Sequence, residues 1–273
     1  MVNTCQKFAA HKNLKFSTNP DPEKSKTKCI IFTKKEHEKL NVAPIMLNGD
    51  PLPWVGRVKH LGNILESSNL MNQDCSVKKG AFVGKINSLR QEFHSVDPEV
   101  QVNILNIYAT SFYGSGLWDI FGSGCEGFYT AWNRAVRQIF NLPWTTHRYW
   151  IETISDSIHP KVMLCSRYAK FHKSLVTSKK TPVRFLSRLI EHDLRTVFGR
   201  TLSNIKSECK ISSTEELTPL VVKQNMKYSD MPLGECWRTG VLAELLEVRK
   251  SQAVLGNFEQ KEIDKMIDYL CTE

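Results

Sequence analysis

The chain has 273 residues, of which 41% are hydrophobic and 10% aromatic, and 37 Lys and Arg against 28 Asp and Glu give a formal charge of +9. That is enough apolar side chain for a core, while only 14 Gly and 11 Pro exclude collagen-like and wholly disordered chains. No uninterrupted apolar run reaches the roughly 18 residues of a membrane span, so no membrane partner is expected, and the opening MVNTCQKFAAHKN has no apolar stretch of secretory-signal type.

Apolar spacing predicts a first helix over 2–14, then a loop at Asn19-Pro20-Asp21-Pro22, where two prolines remove two donors. A short strand is expected at Cys29-Ile30-Ile31-Phe32. Ile45-Met46-Leu47 followed by Asn48-Gly49-Asp50 is a hairpin signal, with Pro51 and Pro53 delaying the return strand to Trp54-Val55. Residues 58–65 read as one more strand, with Gly62 at a close backbone approach. From residue 74 the period becomes helical, with Val77, Ala81, Val83, Ile86, Leu89 and Phe93 on the apolar side. Asp97-Pro98-Glu99 starts another helix, so apolar as far as Tyr113 that a nearly fully buried position is expected.

Glycines at 114, 116, 122 and 124 precede a helix at 125–140 that turns Phe128, Trp132, Ala135, Val136 and Ile139 inward and Arg134 and Arg137 outward. Helices follow at 147–157, from Pro160 to the link at 177–182, and at 182–198, the last on Val183, Phe185, Leu186, Leu189, Ile190, Leu194, Val197 and Phe198. Ser212 to Glu216 reads as a linker or cap, and two amphipathic helices with acidic faces, 239–249 and 258–270, end the pattern.

The charge is unevenly placed. Residues 1–100 carry 15 basic and 10 acidic groups, residues 101–200 carry 13 and 6, and residues 201–273 carry 9 and 12. The block 161–200 is the densest, with 10 basic and 2 acidic side chains. A basic body with an acidic tail suits a polyanionic partner, and it equally suits plain solubility. Eight scattered cysteines without a CxxC pair or zinc-finger spacing point to buried thiols in a reducing, intracellular setting, nuclear or cytoplasmic. Nucleotide-binding, zinc-protease and nucleophile-elbow motifs are missing, and Glu191 and Asp193 diverge on their helix, so no catalytic site is expected. The stretches His147-Arg148-Tyr149-Trp150 and Arg167 to Lys173 interleave aromatic and basic residues, readable either as stacking surfaces with phosphate contacts or as core aromatics under a wet basic face. Trp54, Trp118, Trp132, Trp144 and Trp150 are expected to be packing anchors.

An ordered set of segments resembles the C-terminal part of reverse transcriptases of non-LTR, LINE-like retrotransposons. The segments are LKFSTNPDPEKSKTKCIIF at 14–32, VKHLGNIL at 58–65, FVGKINSLRQEF at 82–93, ILNIYATSFYGSGLWDI at 104–120, AWNRAVRQIFNLPWTTHRYWI at 131–151 and HPKVMLCSRYAKFH at 159–172. The resemblance implies a palm-end and hairpin remnant at 1–70, thumb-like helices at 71–120, a basic post-thumb region at 121–205 and an acidic helical tail at 206–273. The expected class is therefore mainly α, of α+β type: a small incomplete β-hairpin piece followed by a helical bundle. The family's polymerase centre carries an Asp-Asp pair, and no such pair occurs in this sequence. The complete enzyme implies Mg²⁺, but this chain is expected to hold no cofactor and to be inactive alone, a partial RNA-directed DNA polymerase.

What the resemblance leaves to it is binding of an RNA/DNA duplex or RNA, together with a palm and fingers portion supplied by a partner. Lys59 and His60 would lie near the primer-positioning hairpin. Lys78, Lys79, Lys85 and Arg90 would form a thumb face on the duplex backbone, and Lys161, Arg167, Lys170 and Lys173 would extend the track. The competing expectation is a basic helical interaction module without nucleic-acid binding or catalysis.

Overall fold

The computed structural model describes residues 2–19, 21–33, 42–68, 72–211, 216–226, 245–246, 249 and 257–272. The chain divides into two compact units, residues 1–76 and 77–273. The described residues are mainly helical, with two small two-stranded antiparallel sheets.

In the first unit, helix α1 (Val2–His11) stops earlier than its apolar spacing predicts. Asn13 takes φ 54°, the left-handed position that terminates helices, and the Leu14 N–H donates back to the Ala9 carbonyl at 2.8 Å. Strands β1 (Met46–Leu47) and β2 (Asp50–Pro51) pair across Asn48 and Gly49, both at positive φ, as a tight hairpin requires. Thr18 Oγ1 donates to Asp50 Oδ2 at 2.6 Å, and Asn48 Nδ2 donates to the Phe16 carbonyl.

The return strand, expected late at Trp54-Val55, is instead Asp50–Pro51, because the tight Asn48-Gly49 turn brings the chain straight back. Two more expectations are corrected in this unit. The strand at 29–32 shrinks to one parallel bridge, Cys29 to Trp54, held by Cys29 N–H to the Pro53 carbonyl at 2.9 Å and Val55 N–H to the Cys29 carbonyl at 2.8 Å. Pro51 and Pro53 have no N–H to extend the ladder. The single strand at 58–65 is instead a hairpin of β3 (Arg57–His60) and β4 (Asn63–Glu66). Leu61 and Gly62 at φ 46° and 78° make its turn, a conformation that a leucine does not advertise. The buried carboxylate of Asp74 accepts from the Ile64 N–H at 2.9 Å, and Glu66 Oε2 accepts from the Gln73 N–H. Asp74 and Gln73 belong to the first turns of α2 (Asn72–Glu92), whose residues from Val77 onward fall in the second unit.

The second unit is built around aromatic side chains. On α2, Phe82 and Ile86 are buried while Val77 and Val83 are exposed, so the buried stripe is offset from the expected one. Helix α3 (Pro98–Tyr108) starts as predicted, with Asp97 accepting from the Glu99 N–H at 2.9 Å and Pro98 in the first turn. It is not the nearly fully buried helix expected. Val102 and Leu105 are inside, but Val100, Ile107 and Tyr108 face out, as does Tyr113 beyond its end. A 3₁₀ turn (Ser115–Leu117) leads to α4 (Ser123–Ile139), the core helix. Phe82, Phe112, Trp118 and Phe128 form an aromatic cluster with ring centroids 5.2–6.3 Å apart. Arg137, expected outward, is half-buried and donates twice to the Thr146 carbonyl.

Helices α5 (Arg148–Ser155) and α6 (Pro160–Val176) follow. His159 caps α6: its Nδ1 accepts from the Lys161 N–H at 3.1 Å, and the ring is wedged against Tyr129 and Trp132. Burial, with Lys161 and Arg148 nearby, pushes this imidazole down to about 2. Burial alone pushes the Glu152 carboxyl up to about 7. The helix predicted over 182–198 is two helices, α7 (Thr181–Glu191) and α8 (Val197–Glu208). Thr196 makes the break, its Oγ1 accepting from the Gly199 N–H at 2.9 Å as the cap of α8. Helix α9 (Pro219–Asn225) packs on α6, and α10 (Asn257–Thr272) turns Ile263, Ile267 and Leu270 inside. The expected helix at 239–249 and the link at 212–215 lie outside the described residues, apart from 245–246 and 249, which are helical.

Candidate functional site

The ten cations nominated from sequence separate into three groups. The first closes loops of the chain itself. Lys78 Nζ donates to the Tyr113 carbonyl at 2.6 Å and stands over the Tyr113 and Trp118 rings. Lys85 Nζ donates to the Tyr108 carbonyl at 3.2 Å, and Arg90 to Gln138 Oε1 at 2.8 Å. Arg167 donates to the Ser111 carbonyl at 2.6 Å and covers the Phe112 ring. These four straps tie α2 and α6 to the segment from Tyr108 to Tyr113 and to α4.

The second group is paired or packed. Lys161 meets Glu208 at 2.7 Å, with a further contact over Phe121, and Lys173 meets Glu216 at 3.0 Å. Lys79 lies across Gly127 so closely that a Cβ there would stand 2.5 Å from its Cδ. The third group, Lys59 and His60 on β3 and Lys170 on α6, is exposed. On α2, Lys78, Lys85 and Arg90 are each tied to a different part of the chain, while Lys59 and His60 lie in the other unit.

Of the aromatic anchors, Trp118, Trp132 and Trp150 are fully buried, and Tyr168 is a core residue with its hydroxyl donating to the Phe198 carbonyl at 3.1 Å. Trp144 corrects the expectation: at 86% exposure it stands in solvent on the α4–α5 connection, and at the start of α5 His147 and Tyr149 stack at 5.4 Å.

The feature that sequence reasoning missed is α7. Its apolar residues Phe185, Leu186 and Leu189, with Leu194 beyond its end, are 56–61% exposed, although they are the apolar residues on which the helix is predicted. At 100° per residue Phe185, Leu186 and Leu189 share one face, and Ser187 and Glu191 occupy the opposite one. It is the polar face that turns inward. Ser187 is buried, and Glu191 bridges His172 at 3.6 Å and Lys206 at 3.3 Å, fixing α7 to α6 and α8. Burial outweighs the carboxylate beside it and lowers the affinity of His172 for its proton, while His172 and Lys206 hold Glu191 ionised against its own desolvation. Gly199 locks the far end, because the Asp193 and Ile190 carbonyls lie against its Cα.

Rolling the helix over to bury Phe185 and Leu189 would separate Glu191 from Lys206 and expose Ser187 and His172. The sequence held one signal of the inversion: Ser187 and Glu191, four apart, mark a polar stripe opposite the apolar one, but spacing does not say which stripe faces the core.

Other cavities are modest. A cleft of about 340 Å³ is lined by Asn106, Asp156, Ser157, Met163, Arg167 and Lys223, and in the first unit an open apolar groove of about 650 Å³ runs past Phe8, Leu14 and Phe16. Among the described residues no three His, Cys, Asp or Glu side chains are placed to hold a metal, and no helix is long and apolar enough to cross a membrane. The described cysteines are unpaired by disulfides. Burial raises the Cys165 thiol and pushes Cys209 up to about 11, which makes both poor nucleophiles. Set against models of known protein families, curated proteins and solved structures, the chain matches none of them.

Proposed function

We propose that this chain is a basic helical interaction module that acts by docking a protein partner on α7, without catalysis and without a phosphate grip. The observation that carries this reading is the inverted helix, whose apolar face stands in solvent while buried Ser187 and half-buried Glu191, paired to Lys206, face inward. A solvent-facing stripe of Phe185, Leu186 and Leu189 lowers no folding free energy by burial in the free chain. It gains that contribution when another surface covers it. The strapping role of Lys78, Lys85, Arg90 and Arg167 supports the same reading, because each cation already serves a bond inside the chain.

The test is a photoreactive phenylalanine analogue in place of Phe185, irradiated in extract of the source cells, with the same analogue at the exposed Lys210 as control. Adducts specific to position 185 that protease digests and ribonuclease leaves intact are the expected result. Adducts made to RNA, or equal adducts from both positions, would overturn the reading.

A second reading keeps the resemblance: a partial non-LTR reverse transcriptase that binds an RNA/DNA duplex with its palm portion supplied by a partner. The observation favouring it is the exposed Trp144 a few residues before the His147–Tyr149 stack at the start of α5, aromatic rings of the kind on which unpaired bases stack.

A further inference from the structure

The partner's chemistry follows from what frames the α7 face, an inference that rests on the interaction reading above. Arg188 and His192 are exposed along one edge of the stripe formed by Phe185, Leu186 and Leu189. Lys179 and Lys180 are exposed at its N-terminal end, and Arg195 at its C-terminal end. The two acids within this stretch are committed: Glu191 points inward to His172 and Lys206, and Asp193 is engaged by Arg195 at 2.8 Å. Arg195 is engaged by Asp193, so the frame is Arg188 with Lys179 and Lys180, all basic, and the stripe it encloses is about one helix wide.

We propose that α7 docks an acidic amphipathic helix of a partner protein, which lays Leu-type anchors at three- and four-residue spacing between Phe185, Leu186 and Leu189 and sets its carboxylates against Arg188, Lys179 and Lys180. This is helix-on-helix recognition with the anchors supplying affinity and the charges selecting the partner. A second copy meeting through the same face is disfavoured, since a two-fold contact would set like charges of the basic frame against one another. An anionic membrane would accept the same charge. The clamp, however, holds only three turns of helix at the surface, and the apolar stripe ends where Glu191 turns inward.

The experiment uses the full chain and two labelled peptides of about 14 residues with the same Leu stripe, one with Glu and one with Lys at the remaining positions. The Glu peptide is expected to bind, the Lys peptide at least about tenfold more weakly, and the double variant Lys180→Glu with Arg188→Glu is expected to reverse that order. Leu189→Asp is expected to abolish Glu-peptide binding while circular dichroism and the melting temperature stay at their native values, because residue 189 lies at the surface.

Equal affinity for the two peptides would overturn the acidic-partner inference and leave α7 as an unselective contact. Binding that survives Leu189→Asp would overturn it by placing the site elsewhere. Binding to neither peptide would also overturn it, and protein adducts at position 185 would then still stand for the broader reading. Concentration-dependent self-association without peptide, or tighter binding to vesicles of phosphatidylserine than to the Glu peptide, would assign the face to a second copy or a lipid surface instead.

Discussion

Lowering the pH from about 6.5 to 4.5 is expected to cost residues 77–273 about 2 kcal/mol through His159, which Glu152 offsets by a similar amount over the same range. The imidazole is almost fully buried between Tyr129 and Trp132 and is held neutral down to about 2. In the unfolded chain the same ring takes up a proton near its ordinary value of about 6.5. The folded state thus binds fewer protons than the unfolded one. The stabilisation is fully present above about pH 6.5 and is lost at about 1.4 kcal/mol for each unit below it. Protonation at Nδ1 would also break the cap bond from the Lys161 N–H, so the cost falls on the start of α6.

His172 works in the same direction, its proton affinity being lowered mainly by burial. Glu152 works in the opposite one. Its folded carboxyl titrates near 7, so its favourable contribution is complete below about 4.5 and is lost as pH rises through 7. The replacement His159→Asn keeps a capping acceptor and removes the titration. Relative to the parent chain, urea unfolding should then show the variant gaining about 2 kcal/mol of stability as the pH falls from about 6.5 to 4.5. An unchanged difference would mean that another group carries the acid sensitivity.

The second large effect is at Gly199. A Cβ at this position would stand 2.4 Å from the Asp193 carbonyl oxygen, 2.8 Å from its carbon and 2.9 Å from the Ile190 carbonyl oxygen. All three are backbone atoms, which no rotamer change can move. Gly199→Ala is expected to cost about 3 kcal/mol, or roughly 6–12 °C in melting temperature, by levering α8 away from the end of α7. Gly84→Ala is the contrasting case. Its Cβ would meet open space in the middle of α2, and the gain in helix propensity is expected to stabilise the chain by about 0.5–1 kcal/mol. Thermal melts of the two variants beside the parent decide the matter. Similar small effects for both would mean that the α7–α8 junction yields.

Local chemistry carried much of this architecture in the sequence. Asp97-Pro98, His159-Pro160 and Asn48-Gly49 each use a residue pair whose backbone preference or missing donor leaves one outcome, and each is found where its chemistry puts it. Segments failed where two outcomes share one pattern. Apolar residues run through 182–198 without interruption in period, and a turn held by Asp193, with Thr196 capping Gly199, divides them into two helices. The turn at Leu61-Gly62 was hidden because leucine rarely takes positive φ.

At the candidate site the sequence located the basic residues but not their partners. Whether Lys78 or Lys85 meets a phosphate or a carbonyl depends on the chain returning beside it at Tyr113 and Tyr108, which is long-range information. The same limit hid the inverted face of α7. Its apolar stripe was legible, but its orientation is set by Glu191 reaching His172 and Lys206 on two other helices.

The central claim is that the cations of α2 serve the fold and not a nucleic-acid track. It is tested most directly by measuring stability and affinity together in the triple variant Lys78→Met, Lys85→Met, Arg90→Met. The control removes three exposed lysines, Lys7, Lys12 and Lys210. The account predicts that the α2 variant loses about 1–2 kcal/mol of stability while its affinity for an RNA/DNA hybrid, and the dependence of that affinity on salt, change no more than in the control. An α2 variant of unchanged stability, whose salt slope falls by about 0.9 for each cation removed while the control keeps the parent's slope, would contradict it.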